Sequence, residues 1–269
     1  MKMLYRYNSG RLSFLKFRPC IDLHQGKVKQ IVGGTLNSSS GNLVENFVSS
    51  QDAAYYANLF KDDGLTGGHV IMLGPGNETE ALKALHAYPG GLQVGGGITD
   101  KNAAHYLEQG ATHVIVTSYV FYDGRLNMNN LAKIVAETGR ERLVLDLSCR
   151  AKDGTYYVVT DKWQKFTEFE ITKANLKQLA AYCAEFLIHA ADVEGKCQGI
   201  QTDMAAKLGE WATIPTTYAG GARSLTDLDL INELGRGKLD LTIGSALDIF
   251  GGNLAYRDVV NWRPGSREI

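Results

Sequence analysis

Two aspartates stand where strand-like apolar text would otherwise continue. Asp22 follows Cys20 and Ile21 in "FRPCIDLH", and Asp146 follows Val144 and Leu145 in "RLVLDLSCR". An ionised carboxylate in apolar surroundings is costly unless something compensates it. Singly, each reads as a helix cap or a salt-bridged strand end. As a pair they read differently, because Asp146 lies 124 residues beyond Asp22 in similar text. Two carboxylates opening onto one cavity are the ingredients of general acid–base chemistry, with one protonated and the other ionised.

Glycine turns repeat at the same spacing. "QVGGGI", with Gly96 and Gly97, recurs 124 residues on as "TYAGGARS", with Gly220 and Gly221. "HVIVTSYVF" is echoed by "LDLTIGSALDIF", which sets Thr117 and Ser118 against Gly244 and Ser245 at a spacing of 127. A glycine-rich turn opening onto a helix N-terminus offers backbone N–H groups to an anion. The first turn runs toward a helix expected from near Asp100, the second toward a helix after Ser224. The two copies predict an elongated substrate with a phosphate at each end and its reactive centre between the aspartates.

The elements that must hold these residues alternate in type. Strand candidates are Arg18–Leu23, His69–Leu73, Gly91–Gly95, His113–Thr117, Arg142–Leu147, Glu185–Ala190, Ile214–Tyr218 and Leu239–Ile243. Helical patterns lie between them at Asp52–Lys61, Glu78–His86, Lys101–Glu108, Met128–Thr138, Ala174–Cys183, Asp203–Glu210 and Leu225–Glu233. Such alternation argues for a parallel sheet with helices outside. Eight strands in this length suit a (β/α)8 TIM barrel, with an open doubly wound sheet as the competitor. The internal repeat decides for a barrel of two half-barrels, about 17–140 and 141–262, within a domain spanning 17–269. Both aspartates then fall at C-terminal strand ends, the catalytic face of this fold.

Composition narrows the partners. The chain has 269 residues, a formal net charge of -1 and 44% hydrophobic residues. Near-neutral charge gives no electrostatic case for nucleic acid or an acidic membrane surface. No apolar run approaches the length of a spanning helix. Cys20, Cys149, Cys183 and Cys197 form no CxxC pair and read as free thiols of a reducing compartment. Residues 1–16 carry Lys2, Arg6, Arg11 and Lys16 and no acid, as a short basic extension or the remnant of an organelle leader would. The expected location is the cytoplasm, or an organelle such as a plastid if those residues are a leader.

The segments "CIDLHQGKVKQIVGGTL", "QVGGGI", "DLSCR", "FLIHAADVEG", "YAGGARS" and "LDIFGGNL" resemble the eukaryotic form of a histidine-biosynthesis isomerase family. That family converts the aminoaldose ProFAR to the aminoketose PRFAR, and the resemblance runs from about Phe17 to Trp262. It implies an Amadori rearrangement with Asp22 as base and Asp146 as acid, an assignment that the repeat alone leaves open. It implies no metal or cofactor, a bisphosphorylated small-molecule substrate, and a monomer. Trp163 either stacks on the substrate's imidazole carboxamide, as an aromatic does in the family, or packs a hairpin around Tyr156–Thr160 onto the barrel. His189 ends the sixth strand where bacterial relatives place a threonine, and His24 follows Asp22 by two residues and is expected on its side. Both are candidate substrate contacts or plain wall residues. Lys27 and Lys29 would attract phosphate or stay solvated. "IMLGPGNE" lacks the acid that commonly ends strand two in bacterial relatives. The sister cyclase barrel, which works with a glutaminase, and a non-catalytic phosphosugar-binding barrel are the rival readings.

Overall fold

The computed structural model describes residues 14–31, 45–161 and 163–265. Eight parallel strands form its centre: β1 (Phe17–His24), β2 (Gly68–Met72), β3 (Leu92–Gly95), β4 (Val114–Val116), β5 (Leu143–Asp146), β6 (Glu185–His189), β7 (Thr216–Ala219) and β8 (Leu239–Ile243). They pair in sequence order, and β8 closes on β1 through Phe17↔Leu241, Arg18↔Thr242 and Pro19↔Ile243. The expected TIM barrel is therefore the observed one, and the open sheet is excluded by that closing pairing.

Helices α1 (Ala53–Asp62), α2 (Glu78–Ala87), α3 (Ala103–Glu108), α4 (Met128–Thr138), α5 (Lys173–Leu179), α6 (Thr202–Trp211), α7 (Leu225–Leu234) and α8 (Tyr256–Asn261) pack outside. Their starts are set by local chemistry. Asp52, Asn127 and Thr172 each accept a backbone N–H from the first turn, and Ser224 forms a capping box with Asp227. Leu131 and Ile134 of α4 are fully buried, as one apolar helix stripe against the strands requires.

Several boundaries move for identifiable reasons. Helix α3 begins at Ala103, because the Asn102 side chain accepts from the Thr99 N–H and donates to the Gly97 carbonyl, holding the preceding residues as a turn. Helix α5 ends at Leu179, short of the expected Cys183, whose thiol is buried and donates to the Leu179 carbonyl. Helix α8 and the antiparallel strands Lys27–Ile31 and Glu45–Val48, which extend the sheet beyond β1, have no counterpart in the expectations. Tyr156–Thr160 lies in the middle strand of a three-stranded antiparallel sheet inserted after β5. The expected basic extension falls, through residue 13, outside the described residues.

Side chains inside the barrel form layers. At the N-terminal end Arg18, Gln93, Glu185 and Thr217 form a polar plug. Arg18 bonds Asp240 at 2.8 Å, while Gln93 and Thr217 donate to the two oxygens of Glu185 at 2.9 and 2.7 Å. Above it Ile115, Val144, Leu187 and Ala219 make an apolar layer with Ile71 against it. The top layer carries the site.

Candidate functional site

Asp22 and Asp146 both line a cavity of about 670 Å³ at the C-terminal mouth of the barrel. This size suits a small-molecule site. Asp22 accepts a hydrogen bond from Gln30 Nε2 at 3.1 Å. Burial pushes its carboxyl up to about 7, helped by the nearby Glu194 carboxylate and opposed by His189 and the Gln30 bond. Asp146 accepts from Thr117 Oγ1 at 3.0 Å and from Ser148 Oγ at 2.9 Å. Burial raises its carboxyl too, against the lowering influence of His189 and the two hydroxyls. Neither carboxylate has a fixed cation bonded to it in the way Arg18 is bonded to Asp240. Both carboxyls are therefore held above the ordinary carboxylate range, and that of Asp22 reaches about neutral pH.

The two glycine turns have matching conformations. Gly96 and Gly97 have φ of +94° and +72°, and Gly220 and Gly221 have φ of +117° and +78°. A Cβ on Gly96 would stand 2.1 Å from the Met72 carbonyl at the end of β2, and one on Gly220 would stand 2.8 Å from the Ala190 carbonyl beyond β6. Each turn thus presses on the end of a neighbouring strand, where only glycine fits. Gly96, Gly97, Thr117 and Ser118 line the large cavity. Gly220, Gly221, Gly244 and Ser245 line a second, much smaller one of about 30 Å³. Asp22, His189 and Glu194 border both, so the two turns flank the aspartates.

Individual side chains depart from expectation. The Thr117 hydroxyl is committed to Asp146, and that of Ser245 donates to Gln30 Oε1 at 3.0 Å. At the second turn the Arg223 and Ser224 N–H groups bond the Asp227 carboxylate and are not available to a ligand. Trp163 adopts a left-handed φ of +67°, an uncommon state for a bulky residue and one that often marks functional positions. It lines the large cavity, its ring centroid 4.8 Å from that of His189. His189 Nε2 lies 2.9 Å from Glu194 Oε2. Burial pulls its imidazole down, but Glu194, with Asp146 and Asp22 beyond, outweighs burial and pushes it up to about 9.

His24 is not among the residues that line either cavity. It ends β1 opposite Lys27, where Gln25 and Gly26 at φ of 53° and 70° turn the chain back into an antiparallel strand. Its partial exposure alternates with buried Ile21 and Leu23 as that of Asp22 does, so it keeps the expected side of the strand while lying beyond the cavity walls. Lys29 is buried and paired with Glu45, so it is no free phosphate anchor. Gln30, Ser148 and Glu194 escaped the sequence reading. The alternation of Val28 and Gln30 was the available signal for Gln30, and "DLS" placed Ser148 two residues from Asp146.

Comparison with known proteins fits this architecture. A family model described as histidine biosynthesis protein matches residues 16–254. A relative from Medicago truncatula, named as the chloroplastic isomerase of the phosphoribosyl imidazole-4-carboxamide compound ProFAR, is 54% identical over 254 residues, covering 92% of this chain and 81% of its own. Relatives given the same isomerase name from Neurospora crassa and Saccharomyces cerevisiae are 52% and 48% identical, each alignment covering 92% of this chain and 98% and 97% of theirs. With a closed barrel, a repeated pair of glycine turns and this extent of identity, the chain belongs to the histidine biosynthesis protein family, among the relatives that carry the isomerase name.

Proposed function

We propose that this protein isomerises the aminoaldose ProFAR to the aminoketose PRFAR by an Amadori rearrangement. The observation that carries the reading is the placement of Asp22 and Asp146 in one mouth cavity between two matching glycine turns. A substrate with a phosphate at each end would span from Gly96, Gly97 and Ser118 to Gly220, Gly221, Gly244 and Ser245, with its ribosylamine over the aspartates.

Asp146 gives a proton to the ring oxygen of the ribosylamine, and the C1′–O bond breaks to leave a protonated Schiff base. Asp22 removes the C2′ proton, and the electron pair moves toward C1′ to give an enolamine. Tautomerisation yields the ketose, with the electrons redistributed inside the substrate. A base with a pKa near 7 suits proton abstraction at neutral pH. A bound bisphosphate adds negative charge, which raises both carboxyls and favours a protonated Asp146. Trp163 caps the large cavity as a stacking surface for the imidazole carboxamide. The second cavity holds only about 30 Å³, so seating the second phosphate requires Glu194 to withdraw from Gly220.

The protein is proposed to act as a monomer in the cytoplasm. Imaging the full chain with a C-terminal fluorescent tag tests that location, and an organelle signal would identify the basic N-terminal residues as a leader. The activity test supplies purified protein with ProFAR and follows absorbance with the cyclase and glutaminase coupled. Turnover is expected. No turnover of ProFAR, with conversion of PRFAR when ammonia is supplied, would identify the sister cyclase instead. Binding of either sugar without turnover would identify a binding barrel.

A further inference from the structure

Below Asp22 on the inner wall lie two groups that the isomerisation does not use. Cys20 precedes Asp22 by two residues on β1, so the pleat turns both into the barrel. His69 on β2 is in direct register with Cys20. Cys20 is 3% exposed and His69 4%. One donor atom from each of Cys20, Asp22 and His69 lies within 4.8 Å of the others. All three also border the small cavity of about 30 Å³, which has room for an ion and a water.

We propose that Cys20, Asp22 and His69 form a binding site for a zinc-class divalent ion, and that its occupation inhibits the enzyme by tying up the Asp22 carboxylate. A thiolate, an imidazole and a carboxylate together select borderline-soft ions such as Zn²⁺ and Cd²⁺ over Mg²⁺ or Ca²⁺. Zinc bonds of about 2.0–2.3 Å in a tetrahedron hold such donor atoms about 3.3–3.6 Å apart, a contraction that rotation of the Cys20 and His69 side chains supplies. Three protein ligands leave the fourth position to a water in the cavity. The Cys20 thiol gives its proton to solvent as the ion binds, and no oxidation state changes. Gly244 keeps this side open, since a Cβ there would stand 3.0 Å from Cys20 Sγ. Cys197 borders the same cavity and is the competing thiol. Because the ligands come from two strands, no linear motif announces them.

The inhibition half of this proposal rests on the proposed isomerase reaction, and the binding half does not. The test titrates the full chain with Cd²⁺ and reads the ultraviolet thiolate-to-cadmium charge-transfer band, then adds Zn²⁺ to the ProFAR assay. A band saturating at one Cd²⁺ per chain is expected, retained in Cys197→Ser and lost in Cys20→Ser. Zn²⁺ should inhibit turnover, EDTA should reverse it, and Mg²⁺ should not inhibit. Measured against its own zinc-free turnover, Cys20→Ser should need at least about 10-fold more Zn²⁺ for the same fractional inhibition. No band in wild type, or a band that survives Cys20→Ser, overturns the site. A saturating band with full turnover in excess Zn²⁺ overturns the inhibition. If Cys20→Ser does not fold, His69→Gln keeps the thiol, and unchanged Cd²⁺ affinity in that variant overturns the proposal.

Discussion

Buried carboxylates occupy both ends of the barrel interior and are handled in opposite ways. At the N-terminal end the Arg18 guanidinium lies 2.8 Å from Asp240 and 4.0 Å from Glu185, and Gln93 and Thr217 complete the Glu185 shell. At the C-terminal mouth, Asp22 receives an amide, and Asp146 receives two hydroxyls and the Ser148 backbone N–H. The nearby cation, His189, is held by Glu194 at 2.9 Å. A nearby opposite charge favours the ionised form of a carboxylate, whereas burial with neutral donors opposes it. The difference separates a structural plug from the proposed reactive site built on the same eight strands.

Breaking the plug should cost most. Arg18→Ala leaves Asp240 and Glu185 without their cation and should destabilise the fold by about 3–5 kcal/mol, read by urea unfolding. Mean effects below about 1 kcal/mol would mean the plug is not the paired network described here.

The mouth should respond in the other sense. Asp22 is held up at about 7 against an ordinary 3.8, so the folded state resists its ionisation and the unfolded state does not. The resulting penalty is absent below pH 3.8, builds as pH rises toward 7, and is constant above. Asp22→Asn should therefore stabilise the protein at pH 8 by up to about 4 kcal/mol and leave it unchanged near pH 4. Thermal unfolding at the two pH values checks this, and equal stability at pH 8 would contradict it.

His189 gives a third comparison. Its imidazole sits at about 9 against an ordinary 6.5, so its ion pair contributes fully below pH 6.5 and is lost as pH rises through 9. His189→Asn should cost about 2–3 kcal/mol at pH 6 and much less at pH 10. A pH-independent cost would show that its packing against Trp163, and not its charge, stabilises the mouth. The smallest effect belongs to Gln30. Gln30→Ala removes the bond that favours ionised Asp22 and should move the acidic limb of the kcat/KM profile upward by about 1 pH unit.

The scaffold was legible because its signals are local or periodic. Glycine pairs at Gly96–Gly97 and Gly220–Gly221 and strand-ending aspartates recur at one spacing, and the end of each apolar run fixes which residues face the mouth. The interactions within the site were less legible. Thr117 lies in the expected turn, yet its hydroxyl rotates to Asp146, a rotamer choice made by packing. Glu194 and His189 meet through a loop whose path no periodicity encodes. His24 shows a different limit: it keeps the alternation of β1, but it is the last residue before the chain turns back at Gln25 and Gly26, and it lines neither cavity.

The most direct test of the account compares Asp22→Asn and Asp146→Asn with wild type, measuring kcat on ProFAR alongside substrate binding by calorimetry. Each variant should bind within a few-fold of wild type and lose about 10²–10⁴ in kcat. A kcat near the wild-type value in either variant would remove that aspartate from the chemistry and contradict the reading of the mouth as an acid–base pair.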